Sequence, residues 1–148
     1  MKSILDKATR DEIIERVKSL IENSQAQWGK MNIYQMLKHC TLCEEMYLGK
    51  KLYKRVFLGY IFGKKALKGI LKNANPLKKN APSSPELVNI EPYGNIPNEK
   101  EKWISLIEEY AQYPNHGFEH WFFGKMTTEQ VGYFVYKHCD HHLPQFNS

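Results

Sequence analysis

Three of the six histidines fall within five residues near the end of the chain, His138, His141 and His142. Imidazole is the commonest side-chain ligand of transition metals. Residues four apart on a helix stand one above the other, so His138 and His142 can both reach one ion. With each residue turned about 100° from the last, His138 and His142 lie within about 20° of Val131, whereas His141 sits about 80° away. The pair shares its face with Phe134, Val135 and Cys139 and should point inward; His141 should lie at the edge. A third donor has to come from another segment. His39 is the best placed, on the apolar side of a second helical pattern and about 50° from its centre.

A single histidine on an apolar face is ordinarily a core imidazole hydrogen-bonded to a neighbour. Three on inward faces point to a divalent transition metal, and imidazole donors are compatible with zinc, nickel, manganese or iron. A three-histidine set leaves coordination positions open, as in catalytic rather than closed structural zinc sites. Water or a thiolate held there can act as a nucleophile near neutral pH. The sequence identifies no catalytic acid, base or nucleophile beyond the three ligands.

Other residues offer weaker chemistry. Cys40 and Cys43 form a C-x-x-C inside a helical pattern with no second pair at ribbon spacing, which favours small buried thiols. Cys43, one turn from His39, is a candidate fourth ligand. His116 and His120 occupy an aromatic irregular stretch, residues 116–124, where either a general base or an ordinary surface residue fits. Asp140 lies opposite the inward face. Gln35 and Gln145 could orient imidazoles, although Gln35 suits a helix cap better.

The elements that position these residues are helices. Thr9 and Glu12 fit a capping box opening a first helix over residues 10–23, with Ile13, Ile14, Val17, Leu20 and Ile21 at helical spacing. Asn32 and Gln35 form a second box, and residues 32–49 put Met36, Cys40, Cys43, Met46 and Tyr47 opposite Lys38, Thr41 and Glu45. A third helix spans residues 98–112, with Trp103, Ile107 and Tyr110 inward. Thr127 and Gln130 open the last. Residues 73–97 carry five of the seven prolines and read as an irregular surface connection.

Between the second and third helices lies a basic excursion. Residues 50–80 hold ten lysines and arginines and no acidic residue, while the remaining chain has 11 basic and 16 acidic residues. Leu52, Tyr53, Val56, Phe57, Tyr60 and Ile61, then Ala66, Leu67, Ile70 and Leu71, recur at helical spacing, predicting two short amphipathic helices broken near Gly63. A solvated basic face over a buried apolar one is the ordinary reading. The alternative is a non-enzymatic helical module that contacts nucleic acid or an anionic membrane surface through residues 50–79.

At 148 residues, with 42% hydrophobic and 25% charged residues, the chain is expected to form one domain, residues 1–148. The N-terminal residues lack an apolar signal core, and three cysteines argue against a disulfide framework, so a cytoplasmic protein is expected.

The stretches Trp28-Gly29-Lys30-Met31, Gln35-Met36-Leu37-Lys38-His39, Phe122-Phe123-Gly124-Lys125-Met126-Thr127 and Tyr136-Lys137-His138-Cys139-Asp140-His141-His142, followed by Gln145-Phe146, resemble the DinB/YfiT-like superfamily. The likeness is to its functionally unassigned branch with an H-x-x-H-H ending, and it spans most of the chain outside the basic excursion. It implies an all-α, DinB-like four-helix bundle with a metal on His39, His138 and His142. It also implies a small-molecule substrate, a low-molecular-weight thiol by analogy with thiol S-transferases and a thiol-dependent isomerase, and pairing as a homodimer. Pro144 departs from the pattern and predicts that the last helix ends just past His142, leaving that ligand on a looser turn.

Overall fold

The computed structural model describes residues 1–88, 90–114 and 117–148. It is mostly helical, with α1 (Lys7–Ser19), α2 (Ile33–Tyr47), α3 (Phe57–Ile70), α4 (Pro85–Val88), α5 (Ile96–Glu108) and α6 (Thr128–Gln145). A 3-10 turn, Glu109–Gln112, extends α5, and two-residue strands β1 (Glu119–His120) and β2 (Gly124–Lys125) pair antiparallel. Both α5 and α6 pack on α1 and on α2, so these four helices enclose the core. Met36, Leu37, Trp103, Ile107, Val131, Val135 and Leu143 are buried at its centre.

The caps of α2 and α6 form as their sequences predict. Asn32 accepts from the Gln35 amide while the Gln35 side chain accepts from the Asn32 amide, and Thr127 and Gln130 repeat the exchange. Each polar cap is worth about 1 kcal/mol and fixes where the ligand-bearing helix begins. The polar side of α2 is turned toward α5 rather than left in water. Lys38 pairs with Glu99 at 2.8 Å, Lys102 with Glu45 at 2.6 Å, and the buried Thr41 hydroxyl donates to Glu99.

Several boundaries differ from expectation. Thr9 is not a cap: α1 starts a turn earlier, and Thr9 is buried within it. The Arg10 guanidinium reaches back to the carbonyls of Ile4 and Leu5, tying the preceding chain to that first turn. At the other end α1 stops at Ser19 because Leu20 turns to extended geometry. Lys100 donates to the Lys18 and Leu20 carbonyls there, and Ile21 is exposed.

Nor does Pro144 end α6 at His142. The proline occupies the last turn, where the absent amide removes only one bond. The Leu143 carbonyl accepts from the amides of Phe146 and Ser148, and the Gln145 carbonyl accepts from the Gln27 amide at 2.8 Å. Leu143 and Phe146 are both buried, so the end of the helix is anchored and His142 stands on regular helix.

The basic excursion forms one helix rather than two. Residues 52–56 form no regular element, and α3 runs through Gly63 without a break. Gly59 and Gly63, one turn apart, lie flat against the backbone of Phe122 and Phe123, where a Cβ on either would collide with the Phe122 carbonyl. Gly63 therefore serves close approach, not helix breaking. The excursion's apolar residues divide: Leu52, Val56, Phe57, Tyr60 and Ile61 are exposed, whereas Leu67 is buried and Tyr53, Ala66, Ile70 and Leu71 pack against the core.

Candidate metal centre

His39 on α2 and the His138–His142 pair on α6 meet where those two helices pack. All three are buried, and one nitrogen of each lies within 4.8 Å of the others. Ring centroids are separated by 5.3 Å for His39–His138, 4.9 Å for His39–His142 and 4.7 Å for His138–His142, close to an equilateral triangle. His39 Nε2 and His138 Nε2 are 3.2 Å apart. Two zinc–nitrogen bonds of about 2.05 Å at a tetrahedral angle would separate their nitrogens by about 3.3 Å, so this pair is already at ligand spacing.

Hydrogen bonds fix the tautomers of two rings. His39 Nδ1–H donates to the Leu87 carbonyl at 2.8 Å, leaving Nε2 with its lone pair toward the other histidines. His142 Nδ1–H donates to Gln145 Oε1 at 2.9 Å. The amide of Gln145 is oriented by its own NH2, which donates to the Trp28 carbonyl at 2.8 Å. Metal-binding histidines characteristically have such a partner on the second nitrogen. His138 differs: its Nδ1 is buried without a hydrogen bond.

Burial sets the charge state. Desolvation holds the pKa of His39 below its ordinary value and those of His138 and His142 well below it, with neighbouring imidazoles adding to the effect. All three are thus neutral near pH 7, the form that ligates metal. Two rings with set tautomers, ligand spacing and neutral imidazoles make this donor set fit a divalent cation, with coordination positions left for a further ligand.

The remaining candidates separate. Cys43 Sγ lies 3.7 Å from His39 Nε2 but outside the three-residue group, and burial pushes its thiol up, against a thiolate. Cys40 packs in the core with its Sγ on Met36. Far from the surface residue that one reading expected, His120 is buried, and its Nδ1 accepts from the amides of Phe122 and Phe123 at 3.0 and 3.3 Å. Burial lowers its pKa to about 3. With that lone pair occupied His120 is no general base; it folds the β1–β2 turn, and Tyr47 and Phe134 lie between it and His138. His141 is half-buried against Trp28, its ring centroid 5.8 Å from the indole's. His116 lies outside the described residues. Asp140 pairs with Arg16 at 2.8 Å, away from the histidines, and Gln35 caps α2 while donating to the Ile90 carbonyl.

One participant in the site and one buried carboxyl outside it escaped sequence reading. The Leu87 carbonyl comes from the proline-rich stretch expected to be a surface connection, and α4 carries it onto α2. No residue type marks a carbonyl as functional, so no signal could have found it. Glu44, about 140° round α2 from His39, is fully buried among Trp103, Tyr110 and Cys139, accepting from the Tyr110 hydroxyl at 2.5 Å and from Cys139 Sγ at 3.5 Å. It lies about 40° beyond the edge of the apolar arc of α2, so the helical pattern alone did not mark it as buried.

A family model described as "Protein of unknown function (DUF1569)" matches residues 2–148. Comparisons with curated proteins and with solved structures return no match.

Proposed function

The chain belongs to the DUF1569 family, and we propose that it is a metal-dependent enzyme of the thiol-transfer or hydrolytic kind. His39, His138 and His142 would hold the ion. The observation that carries this reading is the buried triangle of neutral imidazoles, two of them locked with Nε2 facing inward by Leu87 and Gln145. A divalent cation in that position supplies Lewis acidity that favours the deprotonated form of a coordinated thiol or water. The chain's own share is to keep the rings neutral, aim them and exclude bulk water.

The architecture is consistent with a DinB-like four-helix bundle built from α1, α2, α5 and α6. In that reading the substrate is a small molecule, with a low-molecular-weight thiol the first class to test. A reducing cytoplasm suits the chain, whose three cysteines are all free.

Elemental analysis of untagged protein tests the assignment. Wild type should carry about one equivalent of a transition metal, and His39→Ala and His142→Ala should lose it while circular dichroism stays helical. Folded wild type that binds no zinc, nickel, manganese or iron on reconstitution would overturn it. A positive result leads to a screen of thiol acceptors and hydrolysable esters, with the alanine variants as inactive controls.

A further inference from the structure

The N-terminal half of α3 is seated by glycines and its C-terminal half by Leu67. Gly59, Gly63 and Leu67 form the ridge that meets the protein, with Ala66 and Ile70 beside it, and the large side chains of the first half are left outside. Measured around the helix from Gly63, Phe57, Leu58, Ile61 and Phe62 project about 100° to 160° away from that ridge. Their exposures run from 54% for Phe62 to 75% for Phe57, and Leu52 just before the helix is 86% exposed. Lys65 and Lys68 lie on the same outer arc, Lys72 follows in the turn after the helix, and all three are exposed. Contiguous apolar surface of this kind marks an interaction site.

We infer that α3 docks on an anionic lipid bilayer. Phe57, Leu58, Ile61 and Phe62 enter the boundary between headgroups and acyl chains, and the lysines meet lipid phosphates. An interfacial helix combines these two features, apolar bulk for the boundary and cations for the headgroups. Charge decides against the competing occupants. A second copy joined by this face across a two-fold axis would set Lys65, Lys68 and Lys72 against the same three lysines, with no acidic residue in residues 50–80 to offset them. A duplex would have to press the four apolar side chains Phe57, Leu58, Ile61 and Phe62 against its phosphates, which call for cations and hydrogen-bond donors instead.

The seat is firm enough to present the surface as a unit. Lys137 donates to the carbonyls of Ile70 and Asn75 at the C-terminal end of α3, and Lys64 donates to the Lys125 carbonyl. Arg55 donates to the Gly59 carbonyl at 3.1 Å and lies over the Tyr60 ring, 4.1 Å from its centre. At 14 residues the helix lies along a bilayer, and among the described residues no helix is long and apolar enough to cross one.

Sedimentation with phosphatidylcholine vesicles, with and without phosphatidylserine, provides the test at low salt. Wild type should bind only the phosphatidylserine vesicles and release them as salt rises. The double variant Phe57→Ser/Ile61→Ser and the triple variant Lys65→Glu/Lys68→Glu/Lys72→Glu should each weaken binding about tenfold or more. All five positions are exposed, so both variants should fold, and metal content should stay at the wild-type value. No binding of wild type to phosphatidylserine vesicles, or equal binding to both kinds, overturns the proposal. So does a stable dimer that Phe57→Ser/Ile61→Ser dissociates, or duplex DNA binding in place of vesicle binding.

Discussion

Gln145 does two things with one amide. Its oxygen takes the His142 Nδ1 proton and its NH2 reaches the Trp28 carbonyl, so the backbone of the first interhelical connection determines which nitrogen of His142 faces the site. Replacing it by leucine keeps the bulk but removes both bonds, freeing the ring to turn or change tautomer. Gln145→Leu should therefore weaken metal binding roughly 10- to 100-fold in a zinc titration, with helicity unchanged. Unchanged affinity would mean that helix packing alone orients His142. The inward sense of His138 and His142 was legible from their spacing on a capped helix. Tautomer was not, because it depends on acceptors at residues 87 and 145 that converge only after folding.

Among the elements, α3 departs furthest from its periodicity. Its apolar residues recur as though for burial, yet two glycines make the main contact because the Phe122–Phe123 backbone approaches too closely for any side chain. A Cβ on Gly63 would lie 3.0 Å from Phe123 Cα and closer still to the Phe122 carbonyl oxygen. Gly63→Ala should cost roughly 1–3 kcal/mol by overpacking the seam. Gly69, later in the same helix, has open space around it, and Gly69→Ala should gain roughly 0.5–1 kcal/mol by reducing the freedom of the unfolded chain. Denaturant midpoints of the two variants, moving in opposite directions from wild type, check this. A shared direction would refute the close-approach account. Caps served better than periodicity in placing helix starts: the Asn32 and Thr127 boxes form, while the Thr9 box yields to the contacts that extend α1 backward.

At the scale of the whole molecule, stability should respond to pH through two opposed sets of buried groups. Glu44 has its carboxyl pKa raised from 4.5 to about 7, by burial first, against hydrogen bonds from Tyr110, Trp103 and Cys139 that pull it down. The folded chain keeps that proton to about pH 7, whereas the unfolded chain releases it near 4.5. Its contribution is complete below about 4.5 and fades as pH rises through 7, by on the order of 3 kcal/mol. The buried histidines act in reverse. Their pKa values are lowered by burial, so their contribution is present above the ordinary value of 6.5 and is lost as pH falls. Glu44→Gln should therefore gain on wild type as pH rises from about 5 to about 8. Urea unfolding of both proteins across that range measures the difference, and a flat difference would count against a protonated Glu44.

The sequence by itself determined the helical class, the capped starts of the two ligand-bearing helices, the inward faces of His39, His138 and His142, and the segregation of positive charge into residues 50–80. These follow from local rules, since a 3.6-residue repeat and a capping box act within one or two turns. Tertiary structure decided that Leu87 and Gln145 orient the site, that Pro144 is absorbed into α6, that His120 turns its lone pair to the backbone, and that α3 turns Phe57, Leu58, Ile61 and Phe62 outward. Each depends on what a residue meets across the fold, and a helical repeat gives the direction of a side chain without saying what fills the space in front of it.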